Sequence, residues 1–149
     1  MSEHRRYVAG FLFRAGRVLL VRKTHPKWQA GYMNGIGGEI ESGESREQAM
    51  QREFVEEAKY LTNRWDFFAI ENGPGYEVHF FRYTAIDPDL HYVAPKVNDK
   101  GEDLEWCDPL SVKYPVLGNL NWLLPLALDP RPIKCNAITT GDIRKLGTW

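Results

Sequence analysis

The segment GGEIESGESREQAMQREFVEEA, residues 37–58, constrains the fold more than any other part of the chain. Ser45, followed three residues later by Gln48, resembles a capping box, in which two side chains satisfy backbone N–H groups at a helix start. The pattern predicts a helix from near Arg46 to about Tyr60. Its apolar stripe is formed by Met50, Phe54, Ala58 and Leu61. A glycine-rich loop therefore leads into an amphipathic helix.

Three glutamates lie on one side of this helix. At about 100° per residue, Glu53, Glu56 and Glu57 fall within about 100° of one another. Glu57 borders the apolar stripe and Glu53 lies one step further out, so these carboxylates overlook the edge of the core. Like-charged pairs at this spacing each cost roughly 0.2–0.5 kcal/mol, so the sequence predicts a positive partner for the cluster.

The composition limits the classes to which the chain can belong. A length of 149 residues, 43% hydrophobic content and a formal charge of −1 predict one globular domain over 1–149 without a broad nucleic-acid surface. Cys107 and Cys135 are far apart and give no disulfide or zinc pattern. We expect no signal peptide and no membrane span of ~18 apolar residues. These features favour a soluble cytoplasmic protein, either a monomer or a homodimer.

Apolar, β-prone runs lie on both sides of the helix. YVAGFLF and RVLLVRK predict one hairpin, WDFFAIEN and YEVHFFRYTA predict a second, and DLEWC predicts a further short strand. THPKWQAGYMNGIGG predicts a loop or broken strand, and GNLNWLLPLAL predicts a helix. The tail from about Asp129 has no clear period and stays unassigned. This order of elements predicts an α/β or α+β sandwich.

The spacing of Gly38, Glu44 and the run Arg52-Glu53-Phe54-Val55-Glu56-Glu57 resembles the Nudix box of the MutT/Nudix hydrolases. The resemblance covers Gly38 to Tyr60 and departs at Lys59, where the family usually has Gly. Six such identities arise by chance on the order of once in a hundred thousand chains of this length. The resemblance implies a Nudix-type α/β/α sandwich with a mixed central sheet. It also implies a site for divalent cations, usually Mg²⁺ with Mn²⁺ as an alternative.

The resemblance also assigns roles to individual residues. The implied metal ligands are Glu53, Glu56, Glu57 and the backbone near Gly37 and Gly38. A fourth carboxylate comes from the later segment KGEDLEW, where Glu102 is preferred to Asp103 and Glu105 and the alternative is an exposed acidic loop. Glu53 is alternatively the base that activates water. Glu44 and Arg52 would hold the loop and the helix in register. Carboxylates are the hard oxygen ligands that Mg²⁺ prefers.

Three further positions are candidates for substrate contact. Lys23, at the end of the second strand, is either a phosphate contact or a solvated strand end. GYMNGIGGEIE is similar to the segment before the box in purine nucleoside triphosphatases that remove oxidised nucleotides, where Asn34 would face the base. The alternative is a turn-forming Asn before Gly35. Asn119 in NLNWLLPLAL is a second candidate base contact.

The implied function is Mg²⁺-dependent attack of water on a phosphorus of a nucleoside triphosphate or related nucleoside diphosphate derivative, with oxidised purine nucleotides among the candidate substrates. The rivals are a catalytically weak sensor that binds a nucleotide on the same fold, and a purely structural cation site. A further alternative is a solvated helix face on which Arg52 pairs with Glu56, worth only about 0.2–0.5 kcal/mol. The intact glutamates favour the enzyme.

Overall fold

The computed structural model describes residues 4–141, which form eight strands and two helices. The strands are β1 Arg5–Arg14, β2 Arg17–Arg22, β3 Met33–Asn34, β4 Ile36–Glu39, β5 Asp66–Gly73, β6 Tyr76–Thr84, β7 Asp103–Cys107 and β8 Cys135–Ile138. The helices are α1 Arg46–Ala58 and α2 Leu120–Leu128. In this described portion neither helix is long and apolar enough to cross a bilayer.

The strand β1 joins the two halves of a single sheet, whose main path is β3-β2-β1-β6-β5-β8. Along one edge of β1, β4 pairs antiparallel with Tyr7 to Gly10 and β2 with Leu12 to Arg14. Along the other edge, β6 pairs in parallel over residues 5–13. β7 extends the sheet beyond β2. The sheet is therefore mixed, as the sequence predicted.

The two helices cover opposite faces of the sheet. The face under α1 buries Ala49, Met50, Phe54 and Ala58 of the helix with Val8, Leu12, Leu19, Val21, Ile36 and Phe81 of the strands. The face under α2 buries Leu120, Leu123, Leu124 and Ala127 with Ala9, Phe11, Phe13, Leu20, Phe68 and Phe80. Alternate residues of β1 thus serve different cores, as strand geometry requires. The predicted α/β/α sandwich is confirmed.

The capping box predicted at the start of α1 is formed. Ser45 Oγ accepts from the Gln48 backbone N–H at 3.1 Å, and Gln48 Oε1 accepts from the Ser45 N–H at 2.9 Å. The helix ends at Ala58 because Lys59 takes a left-handed conformation, with φ of 56°. The predicted place of Leu61 in the buried stripe is therefore wrong, since the chain has left the helix and Leu61 is 73% exposed.

The structure resolves two segments that the sequence left open. The glycine-rich approach to α1, predicted as a loop or broken strand, is a broken strand, whose two short parts, β3 and β4, pair with β2 and β1. The tail after Asp129 contributes β8, which pairs in parallel with β5 through Cys135 to Ile138. The last part of that tail, residues 142–149, lies outside the described residues.

Candidate active site

The strand β4 carries two glycines that bring the chain unusually close to its neighbours. Gly37 lies opposite Ala9, and a Cβ at Gly37 would collide with the Val8 backbone. A Cβ at Gly38 would occupy the place of the Glu53 carboxylate. Any side chain at position 38 would thus displace Glu53, and glycine lets that carboxylate lie directly against the backbone of β4.

Arg52 connects this loop to α1. Its Nε and Nη2 donate to the two oxygens of Glu44 at 2.7 and 2.9 Å, and Nη2 also donates to the Glu39 carbonyl at 3.0 Å. Nη1 donates to Glu53 at 2.8 Å and lies 3.5 Å from Glu56, which is the pair expected from helical spacing. The hydrogen bond from Arg52 lowers the pKa of Glu44 and keeps it ionised.

The three glutamates of the helix divide into a buried pair and an exposed member. Side-chain exposure is 10% for Glu53 and 7% for Glu57, but 56% for Glu56. Glu57 accepts from Lys100 Nζ at 3.0 Å. Burial raises the pKa of Glu57, and Lys100 opposes that rise. The positive partners that the sequence predicted are therefore Arg52 and Lys100.

Glu102, which directly precedes β7, is completely buried. Its Oε2 accepts from the Thr24 backbone N–H at 2.8 Å, and its Oε1 accepts from Asn98 Nδ2 at 3.2 Å and lies 3.5 Å from Lys23 Nζ. Burial acts to raise the pKa of Glu102, but the Thr24 hydrogen bond, the Lys23 charge and the Asn98 amide lower it. Because the Lys23 side chain is only 15% exposed and faces this carboxylate, Lys23 is not a solvated strand end.

Lys100 brings these carboxylates into one electrostatic group. Burial alone would lower its pKa, but the hydrogen bond to Glu57 and the charges of Glu57, Glu53 and Glu102 together raise it. Lys100 therefore bonds Glu57 and lies within electrostatic range of Glu53 and Glu102, and carboxylate oxygens are the donors that Mg²⁺ prefers. Within residues 4–141, no three acidic, His or Cys side chains already stand close enough to chelate an ion. Their oxygens are paired with Arg52, Lys100 and Lys23 instead.

The two candidate base contacts have different neighbours. Asn34 Oδ1 accepts from the Gly35 N–H at 2.8 Å, and its Nδ2 donates to Gln29 at 3.4 Å. Asn119 directly precedes α2 and lies near Glu71, a buried carboxyl group on β5, while its Oδ1 is buried without a hydrogen-bond partner among the described residues. Burial raises the pKa of Glu71, while hydrogen bonds from Tyr76 and Asn119 partly offset the rise. Among the described side chains, neither asparagine has a hydrogen bond to Glu53, Glu57 or Glu102, here called the carboxylate group.

Sequence reasoning missed three residues of this region, namely Lys100, Asn98 and Glu71. The first two stand in VNDKGE, where Asn, Asp and Gly signal a turn immediately before Glu102. The turn predicts that Lys100 lies near the candidate ligand Glu102. The direction of the Lys100 side chain depends on the conformation of the turn. The burial of Glu71 could not be predicted from the sequence, because it follows from the pairing of β5 with β6 and β8.

The sequence is similar to known proteins. A sequence model of the NUDIX domain matches residues 3–124. The CTP pyrophosphohydrolase of Escherichia coli strain K12 is 29% identical over 112 residues, which cover 73% of this chain and 80% of that protein.

Solved structures match the fold over nearly its whole length. A MutT protein from Bacillus halodurans superposes with a TM-score of 0.72 at 20% identity, covering 93% of this chain and 92% of its own. A NUDIX hydrolase from Nitrosomonas europaea superposes with a TM-score of 0.75 at 15% identity, covering 95% and 81%. Since the domain match spans most of the sequence and includes the whole Nudix box, the chain belongs to the Nudix family of hydrolases, pyrophosphohydrolases that act on nucleoside diphosphate derivatives.

Proposed function

We propose that the chain uses Mg²⁺, or Mn²⁺ in its place, to hydrolyse the pyrophosphate linkage of a nucleoside triphosphate and to release a monophosphate and pyrophosphate. The observation that carries this proposal is that Glu53 lies against Gly38 of β4 and bonds Arg52, while Glu57, one helical turn further along α1, is buried and bonds Lys100. Burying several carboxylates costs free energy unless positive charge is placed beside them, so this site favours a cation.

The donor chemistry of the residues present fits a divalent ion, which would draw their oxygens away from Lys100 and Lys23. Glu53, Glu57 and Glu102 would hold it from the buried side and Glu56 from the exposed side, with the backbone near Gly38 beside them. Such an ion supplies charge neutralisation at the phosphoryl oxygens and eases the formation of hydroxide from water.

The protein's own side chains supply position and charge around the reacting group. Glu53 is held against Gly38 and bound by Arg52, so its carboxylate has a fixed direction for binding the ion or accepting a proton from water. Arg52 and Glu44 fix the loop relative to α1. Lys23, once it leaves Glu102, can meet a phosphate oxygen. Positioning and electrostatics carry most of phosphoryl-transfer catalysis.

The name of one relative supports a nucleoside triphosphate as the substrate, since it is a CTP pyrophosphohydrolase. The similarity around Asn34 supports a purine, with oxidised purine nucleotides as the first class to assay. Asn34 Nδ2 has only a long hydrogen bond, of 3.4 Å to Gln29, and is the amide group best able to exchange its partner for a base.

A substrate panel tests the proposal directly. Nucleoside triphosphates, oxidised nucleotides, sugar nucleotides and dinucleoside polyphosphates are incubated with Mg²⁺ or Mn²⁺, and release of phosphate and pyrophosphate is measured. We expect pyrophosphate release from at least one triphosphate, lost on chelation of the metal and in Glu57→Gln. Nucleotide binding without turnover would favour the sensor, and metal binding without any nucleotide response would favour the structural cation site.

A further inference from the structure

The turn from Asn98 to Glu102, here called the Asn98 turn, is organised by one buried amide. Asn98 is 6% exposed, and its Oδ1 accepts from the backbone N–H groups of Lys100 at 3.0 Å and Glu102 at 2.9 Å. Its Nδ2 donates to Glu102 Oε1. The same side chain therefore fixes both the Glu102 carboxylate and the backbone that carries Lys100.

Two ion pairs join the Asn98 turn to α1 and to Lys59, the residue that ends it, and only the pair with α1 concerns the carboxylate group. Lys59 lies 3.4 Å from Asp99, but these side chains are 55% and 80% exposed, so the pair contributes little. Lys100 lies 3.0 Å from Glu57, whose side chain is 7% exposed. The Lys100 pair is the one placed to affect what else the site can bind.

We propose that the Lys100 ammonium competes with the divalent ion for the Glu57 carboxylate. Lys100 stays paired with Glu57 until the ion binds together with a phosphate group, which then binds the ammonium in place of Glu57. This inference rests on the proposed function, because it assumes that Glu57 binds the metal. It adds a role for a residue outside the Nudix box, namely to make metal binding dependent on the presence of the pyrophosphate group.

The physical basis is competition for one carboxylate, whose Oε1 already accepts from Lys100. An ammonium group and a divalent ion repel each other strongly at contact distance inside a protein, so Glu57 cannot serve both at once. Lys100 is able to leave, because its side chain is 46% exposed and its stem is long and flexible, while Asn98 holds its backbone in place. A displaced ammonium then stands beside the site as a free donor.

A phosphate group completes the exchange. Lysine binds phosphate oxygens as a point charge, so a pyrophosphate held by the metal offers Lys100 a replacement for Glu57. The anion therefore favours the metal-bound arrangement, and by linkage the metal favours the anion by the same factor. Metal alone has to displace Lys100 without that compensation and binds more weakly.

Direct Mn²⁺ binding tests this proposal without reference to turnover. Full-length wild type, Lys100→Gln and Lys100→Arg are titrated with Mn²⁺, with free Mn²⁺ followed by electron paramagnetic resonance. Each titration is repeated with inorganic pyrophosphate and corrected by a protein-free titration. Lys96→Gln removes the same charge from an exposed lysine of the same segment and serves as the matched control.

We expect Lys100→Gln to bind Mn²⁺ alone about tenfold more tightly, the equivalent of one charged hydrogen bond, and to lose most of the gain that pyrophosphate gives the wild type. Lys100→Arg and Lys96→Gln should behave like the wild type. Unchanged or weaker Mn²⁺ binding by Lys100→Gln, or equal tightening in Lys100→Arg, overturns the proposal.

Glu57→Gln separates this proposal from the one on which it rests. If Glu57→Gln binds Mn²⁺ as tightly as the wild type, the carboxylate group is not the metal site and the proposed function fails with it. If Glu57→Gln loses Mn²⁺ while Lys100→Gln matches the wild type, the metal site stands and only the competition by Lys100 is wrong.

Discussion

Arg52 and Glu44 form a two-point ion pair across the junction of loop and helix, with N–O distances of 2.7 and 2.9 Å. The planar guanidinium matches the two carboxylate oxygens, and its remaining N–H groups reach the Glu39 carbonyl and the Glu53 carboxylate. Arg52 thus holds β4 and the buried Glu53 in a fixed position relative to each other.

Arg52→Lys keeps the charge and removes this two-point geometry. Because a small misplacement of a reacting group costs up to about 100-fold in rate, we expect kcat to fall about 10- to 100-fold. The free energy of unfolding should fall by about 1–2 kcal/mol. Steady-state kinetics and chemical denaturation measure the two effects. Arg17→Lys, at an exposed position of β2, is the control, and equal behaviour of the two variants would contradict the positioning role.

Glu56→Gln should separate function from stability. Glu56 is 56% exposed and its contact with Arg52 is long, at 3.5 Å, so its loss should leave the melting temperature unchanged or slightly raised. Turnover should fall by roughly 10²–10⁴-fold if a metal ligand is lost where charge develops. Melting without metal and a Mg²⁺ titration of pyrophosphate release measure both. A lower melting temperature with near wild-type turnover would make Glu56 a structural partner of Arg52.

Local signals in the sequence account for much of the fold. The capping box gave the start of α1, and turn residues between β-prone runs gave both hairpins. Strand β8 was missed because Cys135 to Ile138 has no pattern of its own and pairs with a strand more than sixty residues earlier. Leu61 was misplaced because periodicity alone does not reveal that Lys59 ends the helix.

The residues of the candidate site were also predictable from the sequence only in part. Fixed spacing within the helix identified Glu53, Glu56 and Glu57, but not that two are buried and one exposed. That division depends on where α1 lies against β4. Lys100 reaches Glu57 only through the conformation of the Asn98 turn, a contact between residues 43 positions apart. Such contacts are tertiary, so sequence periodicity cannot predict them.

Lys59 stands where the family usually has Gly, and its conformation predicts how substitutions behave. The left-handed backbone favours Gly, whereas Lys59 Nζ donates to the Glu56 carbonyl at 2.7 Å and partly compensates. Lys59→Gly should therefore be about 1 kcal/mol more stable than Lys59→Ala, which loses the contact without relieving the backbone. Chemical denaturation measures the difference. Activity of Lys59→Gly should stay within a few-fold of the wild type, and a large gain would show that the wild-type site is incompletely formed.

His79 should make stability depend on pH. Burial lowers its pKa below the usual 6.5; Arg46 and Arg6 contribute to this, and Glu77 opposes it. His4 also lies near Glu77. The unfolded chain therefore takes up a proton at His79 before the folded protein does, so stability is full above pH 6.5 and falls as the pH drops below it.

The matched variant for this effect is His79→Leu, which cannot titrate. Denaturant unfolding from pH 8 to pH 5 should show a loss of stability in the wild type that is smaller in His79→Leu. Parallel pH profiles of the two proteins would assign the loss to other groups.

Asn34→Ala should flatten base selectivity without abolishing turnover. Asn34 Oδ1 accepts a short hydrogen bond from the Gly35 N–H, whereas Nδ2 has only a long contact with Gln29. Nδ2 can therefore donate to a base while Oδ1 continues to stabilise the turn. Losing one hydrogen bond to the base costs about 0.5–1.5 kcal/mol, or up to roughly tenfold in relative kcat/KM between purines. Competition assays with paired nucleotides measure the ratio directly.

Gln29→Ala removes the neighbour that orients the Asn34 amide and should shift the ratio in the same direction, but less. An equal loss of turnover for every nucleotide in Asn34→Ala would make Asn34 a turn former, and base recognition would then have to be sought at Asn119 and Glu71.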